Sequence, residues 1–320
     1  MKDFQSLRIV FMGTPEFAVA SLDTLVKAGC TIVGVITVPD KPGGRGMQLQ
    51  ESAVKKYAVE HNLKVLQPEK LKNPEFLEEL KSLQADLQIV VAFRMLPEVV
   101  WNMPPMGSVN LHGSLLPQYR GAAPINWAVI NGEKETGVTT FKLKHEIDTG
   151  DILLQESFTI GEDETAGEVH DKMKEIGASL LVKTVKGLVD GTLKEVQQVV
   201  SDGDPQTQLN HAPKIHTDTC KINWSQPVEN IFNLVRGLSP YPAAFIIMNE
   251  KKLKVYKAKK EIIVPTHTEG ELACPAGRYE TDGKTFLKFA CANGYLHLLE
   301  LQLEGKKKMS VEEFLRGYRF

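Results

Sequence analysis

The chain lacks most of the features that would place it in a specialised class. Its 320 residues include four cysteines, Cys30, Cys220, Cys274 and Cys291, and no two of them form a C-x-x-C pair. Cysteines this sparse argue for neither a disulfide framework nor a zinc site. The expectation is a reducing, cytoplasmic setting and no metal. No apolar run exceeds strand length, Leu87 to Phe93 being among the longest, so a membrane-spanning helix and a membrane partner are not expected. The opening residues, MKDFQS, pass almost at once into a strand-like pattern and resemble neither a signal nor a transit peptide. The first strand is not followed by G-x-G-x-x-G, which disfavours a dinucleotide site, and the glycine-rich stretch at 43–46 has no Walker pattern. There is no internal repeat and no low-complexity segment. Neither sign of charge dominates: 38 Lys+Arg stand against 40 Asp+Glu, a net −2.

The distribution of charge says more than its total. Residues 1–208 hold 21 basic against 28 acidic side chains, and residues 209–320 hold 17 against 12. An acidic first part joined to a basic second part suggests that the second part meets a polyanion. The organisation changes at the same place. Up to about residue 200, apolar β-branched runs (7–13, 30–38, 86–93, 107–114, 137–144, 151–160) alternate with helical patterns (17–27, 51–61, 73–83, 165–190). That alternation predicts a doubly wound, Rossmann-like α/β domain over 1–200, with ligands at the carboxyl ends of its strands. A polar linker over 201–215 then leads to a helix near 228–237 and several short strands. Over 216–320 this pattern predicts a small OB-like β-barrel of the kind that binds nucleic acid.

The chemistry centres on NLHGSLLP, residues 110–117. Asn110 and His112 share one face of a strand that Gly113 and Pro117 then end, so both can converge on one small polar group. A second stretch, HEIDTGDI (145–152), places Asp148 and Asp151 around a Thr-Gly turn, where a carboxylate could orient the imidazole. No Ser or Cys is placed as a nucleophile, which suits direct attack by an acceptor substrate while the enzyme stabilises an oxyanion and moves protons. From these residues alone the reading stops at an α/β enzyme of acyl or one-carbon transfer.

NLHGSLLPQYRGAAPINWAVINGE (110–133) together with DTGDIL (148–153) closely resembles the folate-dependent formyltransferases. RIVFMGTPEFA (8–18), PDKPGGRG (39–46), GASLL (177–181) and KINW (221–224) resemble the branch that formylates methionine on initiator tRNA. The resemblance implies 10-formyltetrahydrofolate as co-substrate, initiator methionyl-tRNA as partner, and a monomeric enzyme. It places the family's catalytic triad on Asn110, His112 and Asp148. His112 and Asn110 would donate to the oxyanion of a tetrahedral intermediate, while Asp148 would hold the imidazole and help move the amine proton. It further implies a folate pocket around Phe93, Arg94, Met95, Leu96, Ser114, Leu115, Leu116, Pro117 and His145. Arg94-Met95 stands where many relatives carry small residues, so Arg94 is expected either against a substrate carboxylate or in solvent.

The remaining expectations concern tRNA. In the resembled enzymes the loop at 38–50 enters the acceptor-stem region, which assigns tRNA contacts to Lys41 and Arg45 on what otherwise reads as a flexible surface loop. Lys252, Lys254 and Lys257, in a lysine-rich strand region, are expected to meet tRNA phosphates. Other formyl-folate enzymes share the Asn–His–Asp core, and the GGRG loop and basic second part disfavour them. At MGTPEFA (12–18), Thr14 is expected to cap a helix that opens with Pro15.

Overall fold

The computed structural model describes residues 3–43, 48–199, 209–263 and 275–318. The chain opens with β1 (Arg8–Gly13), α1 (Glu16–Lys27), β2 (Thr31–Ile36), β3 (Lys41–Gly43), β4 (Gln48–Gln50), α2 (Ala53–Glu60) and β5 (Val65–Leu66). It continues with α3 (Pro74–Ser82), β6 (Leu87–Val91), α4 (Glu98–Trp101), β7 (Ser108–His112), β8 (Arg120–Gly121), α5 (Pro124–Ile130), β9 (Glu135–Lys142), β10 (Ile152–Thr159) and α6 (Ala166–Val189). After β11 (His211–Ala212) come α7 (Val228–Gly237), β12 (Ala244–Met248), β13 (Lys251–Ile262), β14 (Tyr279–Thr281), β15 (Leu287–Cys291), β16 (Gly294–Leu303), β17 (Met309–Ser310) and α8 (Val311–Gly317).

The main sheet has seven strands in the order β10-β9-β7-β6-β1-β2-β5. Strands β5, β2, β1, β6 and β7 run parallel to one another, and β9 runs antiparallel to β7. This is the expected doubly wound sheet. Its central strands are apolar because helices cover both faces: Ile9, Val10, Phe11 and Met12 are fully buried, as are nearly all of β6's side chains. Strand order reverses between β1 and β6, where such sheets open a crevice at their carboxyl ends. Close packing keeps that region tight, since a Cβ on Gly13 would lie 2.6 Å from Ala18 Cβ.

Helix starts follow their local chemistry in two cases and depart from it in a third. Ser52 caps α2 by accepting from the Lys55 amide at 3.0 Å, and Asn73 caps α3 by accepting from Glu75 at 2.9 Å, with Pro74 in the first turn. Thr14 does not cap α1. Pro15 itself stands at the cap position with no side-chain cap bond, so the helix begins one residue later than expected.

The chain divides into two compact units. One comprises Met1–Gly121, Gly137–Phe158 and His170–Asn210; the other comprises Ala122–Thr136, Thr159–Val169 and His211–Phe320. The second unit therefore takes in α5, which the linear reading left with the first. Gly237 at the end of α7 explains how the two helices meet, because a Cβ there would lie 2.5 Å from Ile130 of α5. The sheet of this unit is antiparallel, in the order β12-β13-β16-β15-β14 with β17 on β16. Bulges at 255–258 shift the register of β13 against β16, and bulges bend strands. The sheet accordingly curls into an antiparallel half-barrel around Leu253, Val255, Leu296, Leu298 and Leu301, all buried.

Candidate active site

Asn110 and His112 leave β7 on one face, as period two requires, with Leu111 on the other. Leu111 faces α6, whose Gly177 permits the approach: a Cβ there would sit 2.9 Å from Leu111 Cδ2. His112 is 7% exposed, and Asn110 is half-buried. The imidazole is fixed by the backbone. His112 Nε2 lies 2.9 Å from the Tyr119 carbonyl oxygen, which can only accept, so Nε2 carries the hydrogen. Nδ1 then faces the Asp148 carboxylate, with 3.7 Å between Nδ1 and Oδ2. Asp148 Oδ2 also accepts from the Gly121 amide at 2.9 Å. The Asn110 side-chain amide makes no hydrogen bond among the described residues.

Three sequence expectations are corrected here. Asp148 was to hold the imidazole, but the Tyr119 carbonyl holds it, and the carboxylate stands beyond direct hydrogen-bond range. His112 is expected to donate to an oxyanion, yet its one N–H is taken by the Tyr119 carbonyl. Nor does Asp148 follow a strand that ends beside His112. The register pairs Lys142, the end of β9, with Val109 and pairs Thr139 with His112, so the loop leaves from the other end of β7. Residues 143–151 must turn back to bring the carboxylate to the imidazole. Gly150 makes that turn possible, because a Cβ on it would lie 1.5 Å from the Lys142 carbonyl oxygen. Asp151, the other acid of the motif, is paired with Lys144 at 2.8 Å.

The turn after His112 is held by side-chain hydrogen bonds, two of whose residues, Ser114 and Thr139, are fully buried. Thr139 Oγ1 donates to the Ser114 carbonyl at 2.6 Å and accepts from the Leu116 amide at 3.1 Å. Gln155 Nε2 donates to the same hydroxyl and to the Leu116 carbonyl, both at 2.9 Å. The Ser114 hydroxyl, fully buried, donates to the Gln118 carbonyl at 2.6 Å. Ser114 and Leu116 are thus built into the turn, while Leu115 and Pro117 are half-buried.

The loop that follows β6 lies beside the end of β7, since Val91 pairs with Leu111. Phe93 and Leu96 are half-buried against the core, and Met95 is 73% exposed. Arg94 takes neither expected place. Its guanidinium donates to the Glu69 carbonyl at 2.9 Å and to that of Pro68, and its Nε is buried without a partner. Burial pushes it below the ordinary guanidinium value. His145 is exposed, its ring edge-on to Trp101 at 5.4 Å and its Nε2 3.3 Å from Glu98, so its side chain is engaged apart from the His112–Asp148 pair.

Of the residues expected at tRNA, Lys41 is exposed on β3, which pairs antiparallel with β4. Arg45 lies outside the described residues. On β13, Lys252 and Lys254 are half-buried and alternate with the core residues Leu253 and Val255, and Lys257 is exposed opposite Glu300. Lys252 Nζ stands 4.4 Å from the centre of the Phe245 ring. Among the described residues no group of three or more His, Cys, Asp or Glu is placed to hold a metal ion, and no helix is long and apolar enough to cross a membrane.

A histidine and an amide without a hydrogen-bond partner among the described residues share one strand face, with a carboxylate returned to them, on the doubly wound sheet expected of an α/β transferase. Comparison with known proteins agrees: the formyl transferase model matches residues 7–185 and the formyl transferase C-terminal domain model matches residues 214–319, and the chain belongs to this family. Within it, the methionyl-tRNA formyltransferase of Parabacteroides distasonis is 55% identical over 98% of this chain and 97% of its own length. That of Flavobacterium johnsoniae is 47% identical over 99% and 98%. A solved N-formyltransferase from Helicobacter canadensis, in complex with folinic acid and dTDP-3-aminofucose, shares the fold. Its TM-score is 0.66 at 21% identity, over 95% of this chain and 100% of that one.

Sequence reasoning missed the residues that hold the site. Tyr119 and Gly121 act through backbone atoms, which leave no side-chain signature. Thr139 and Gln155 sit inside ordinary strand patterns.

Proposed function

We propose that this chain transfers the formyl group of 10-formyltetrahydrofolate to the α-amino group of methionine on initiator tRNA. The similarity to relatives of that name through both parts of the chain, at about half identity, carries the reading of the acceptor. In this mechanism the neutral methionyl amine attacks the formyl carbon, and the carbonyl electron pair moves to oxygen. The half-buried Asn110 amide, which has no partner among the described residues, donates to that oxygen. His112, its Nε2–H tied to Tyr119, offers the Nδ1 lone pair and takes the amine proton there. The Asp148 carboxylate balances the imidazolium, which returns the proton to N10 as the C–N10 bond breaks. At 3.7 Å from Oδ2, Nδ1 makes no hydrogen bond to the carboxylate, so its lone pair is free to take the proton.

Phe93, Met95 and Leu96 supply apolar contacts for the folate in this reading, with the backbone of 114–117. Arg94 and His145, engaged elsewhere, act only through the shape of their loops. Lys41, Arg45, Lys252, Lys254 and Lys257 meet tRNA phosphates, residues 201–215 link the two parts, and the protein works as a cytoplasmic monomer. One assay tests the whole. The enzyme is given 10-formyltetrahydrofolate and offered methionyl-tRNA, glycinamide ribonucleotide, an amino sugar, or no acceptor. Formyl is expected on methionyl-tRNA alone, and transfer elsewhere refutes the acceptor.

A further inference from the structure

Asp148 has to be held in place by something other than its immediate neighbours. Its loop leaves from the far end of β7, and its backbone sits in the left-handed region at φ +57°. The structure shows a clamp in a segment where neither family model matches, residues 186–213. Val196 makes an isolated antiparallel bridge with Ile152, the first residue of β10, its amide and carbonyl bonded to that residue's at 2.9 and 2.8 Å. Two residues on, Gln198 points at the site. Its Nε2 donates to the carbonyls of Asp148 and Gly150 at 2.9 and 2.8 Å. Its Oε1 accepts from Arg120 Nε and Nη2 at 3.1 and 2.6 Å. One amide thus joins two pieces of chain: the acidic loop that carries Asp148, and the stretch 119–121. That stretch supplies the carbonyl holding His112 and the amide anchoring Asp148.

We infer that Gln198 is a positioning residue: paired with Arg120, it sets the separation of Asp148 from His112 for the reaction. The residue touches no reacting atom. Both donors of its amide go to the acidic loop, and its single acceptor goes to the other piece, so its orientation is fixed at both ends. Groups that orient a functional side chain in this way commonly change activity by about 10- to 100-fold when removed. A displacement of about 1 Å is enough to do so.

The inference rests on the formyl-transfer reading for its effect on turnover, so the test includes a readout that does not. Gln198→Leu keeps the volume and removes every hydrogen bond. Gln198→Glu keeps a partner for Arg120 but sets an acceptor against two carbonyls. Both variants are expected to lower kcat about 10-fold or more, with KM for folate and for methionyl-tRNA within about twofold. The loss should disappear when Gln198→Leu is combined with Asp148→Asn, because a residue acting through Asp148 has nothing left to position. Independently of any reaction, hydrogen exchange at the Gly121 amide, which reports its bond to Asp148, should quicken about tenfold or more in both single variants. Unchanged Gly121 exchange overturns the inference whatever the substrate proves to be. So does wild-type kcat in either variant, or a loss that adds fully to that of Asp148→Asn. Failure of the wild-type enzyme to formylate methionyl-tRNA, with Gly121 exchange quickened in both variants, refutes the acceptor and upholds the clamp.

Discussion

Replacing Thr139 by valine would test whether the turn after His112 is held as described. Thr139 lies in β9 with no solvent exposure, and its hydroxyl is the common partner of the Ser114 carbonyl, the Leu116 amide and the Gln155 amide. Valine fills nearly the same volume, so no cavity opens and the cost is confined to hydrogen bonds. Gln155 still reaches the Leu116 carbonyl and is exposed to solvent, so its loss is small. The Leu116 amide has no such alternative, since the residue is 3% exposed. A buried group left unsatisfied costs about 1–3 kcal/mol. With a smaller contribution from the Ser114 carbonyl, the total expected is about 2–4 kcal/mol. Thr139→Ser is the control: it keeps the hydroxyl and loses one buried methyl, for about 1 kcal/mol. Urea denaturation followed by far-ultraviolet circular dichroism reads both. The valine variant should unfold at clearly lower urea than the serine variant, with an unchanged slope. Serine costing more than valine, or valine matching the wild type, would refute the assignment of the hydroxyl as the turn's anchor.

Three further outcomes follow from the same geometry. Asn110→Ala should lower kcat by about 10²–10³ with substrate KM values little changed, the usual loss of one oxyanion donor; steady-state formylation kinetics reads it, and near-normal turnover would remove Asn110 from the mechanism. Lys254→Ala and Lys257→Ala should each reduce the slope of log affinity for tRNA against log salt by about 1, measured by filter binding between 50 and 200 mM salt; an unchanged slope would return both lysines to solvent. Burial pushes the thiols of Cys30 and Cys291 up to about 11, so neither should react appreciably with iodoacetamide at pH 8 in the folded protein. The raised value favours the neutral thiol in the fold, and peptide-level mass spectrometry should find both labelled only after unfolding.

The parts of the structure visible in the sequence are those set by periodicity and by side chains. Runs such as that at 86–93 are apolar because their strands are covered on both faces, and Asn110 and His112 share a face because strands have period two. Ser52 and Asn73 begin their helices through their own side-chain oxygens. What was not visible depends on backbone atoms and on strand direction. Nothing in the residues of β9 says that it runs antiparallel to β7, and that reversal is why Asp148 must be carried back to His112. Tyr119 acts on His112 through a carbonyl and Gly121 on Asp148 through an amide, and neither group shows in the residue type. Arg94 illustrates the opposite failure. A charged side chain beside a ligand loop suggests a ligand contact, yet two carbonyls of the preceding segment engage its guanidinium.

Three of the eight non-glycine residues with positive φ among the described residues lie in the stretches around the His112–Asp148 pair. Ala92, Tyr119 and Asp148 are non-glycine residues with φ of +47°, +58° and +57°. Left-handed backbone costs such residues about 1–2 kcal/mol each, a large fraction of a domain's net stability for three positions. Each does something an unstrained turn would not. Ala92 ends the run of β6 and opens the loop over 92–97, Tyr119 turns its carbonyl onto His112 Nε2, and Asp148 presents a carboxylate to Nδ1 while its own carbonyl is held by Gln198. Side chains alone could place an imidazole and a carboxylate near each other, but they would leave both free to rotate. Fixing one through a main-chain carbonyl and the other through a main-chain amide removes that freedom before substrate arrives, which is where preorganised catalysis gains its advantage. Asn62, Gln84, Ala243, Asn249 and Glu250 share the left-handed region outside these stretches, so strain alone does not mark the site; in the formyl-transfer reading, its coincidence with the His112–Asp148 pair points to backbone groups, as well as side chains, that the reaction uses.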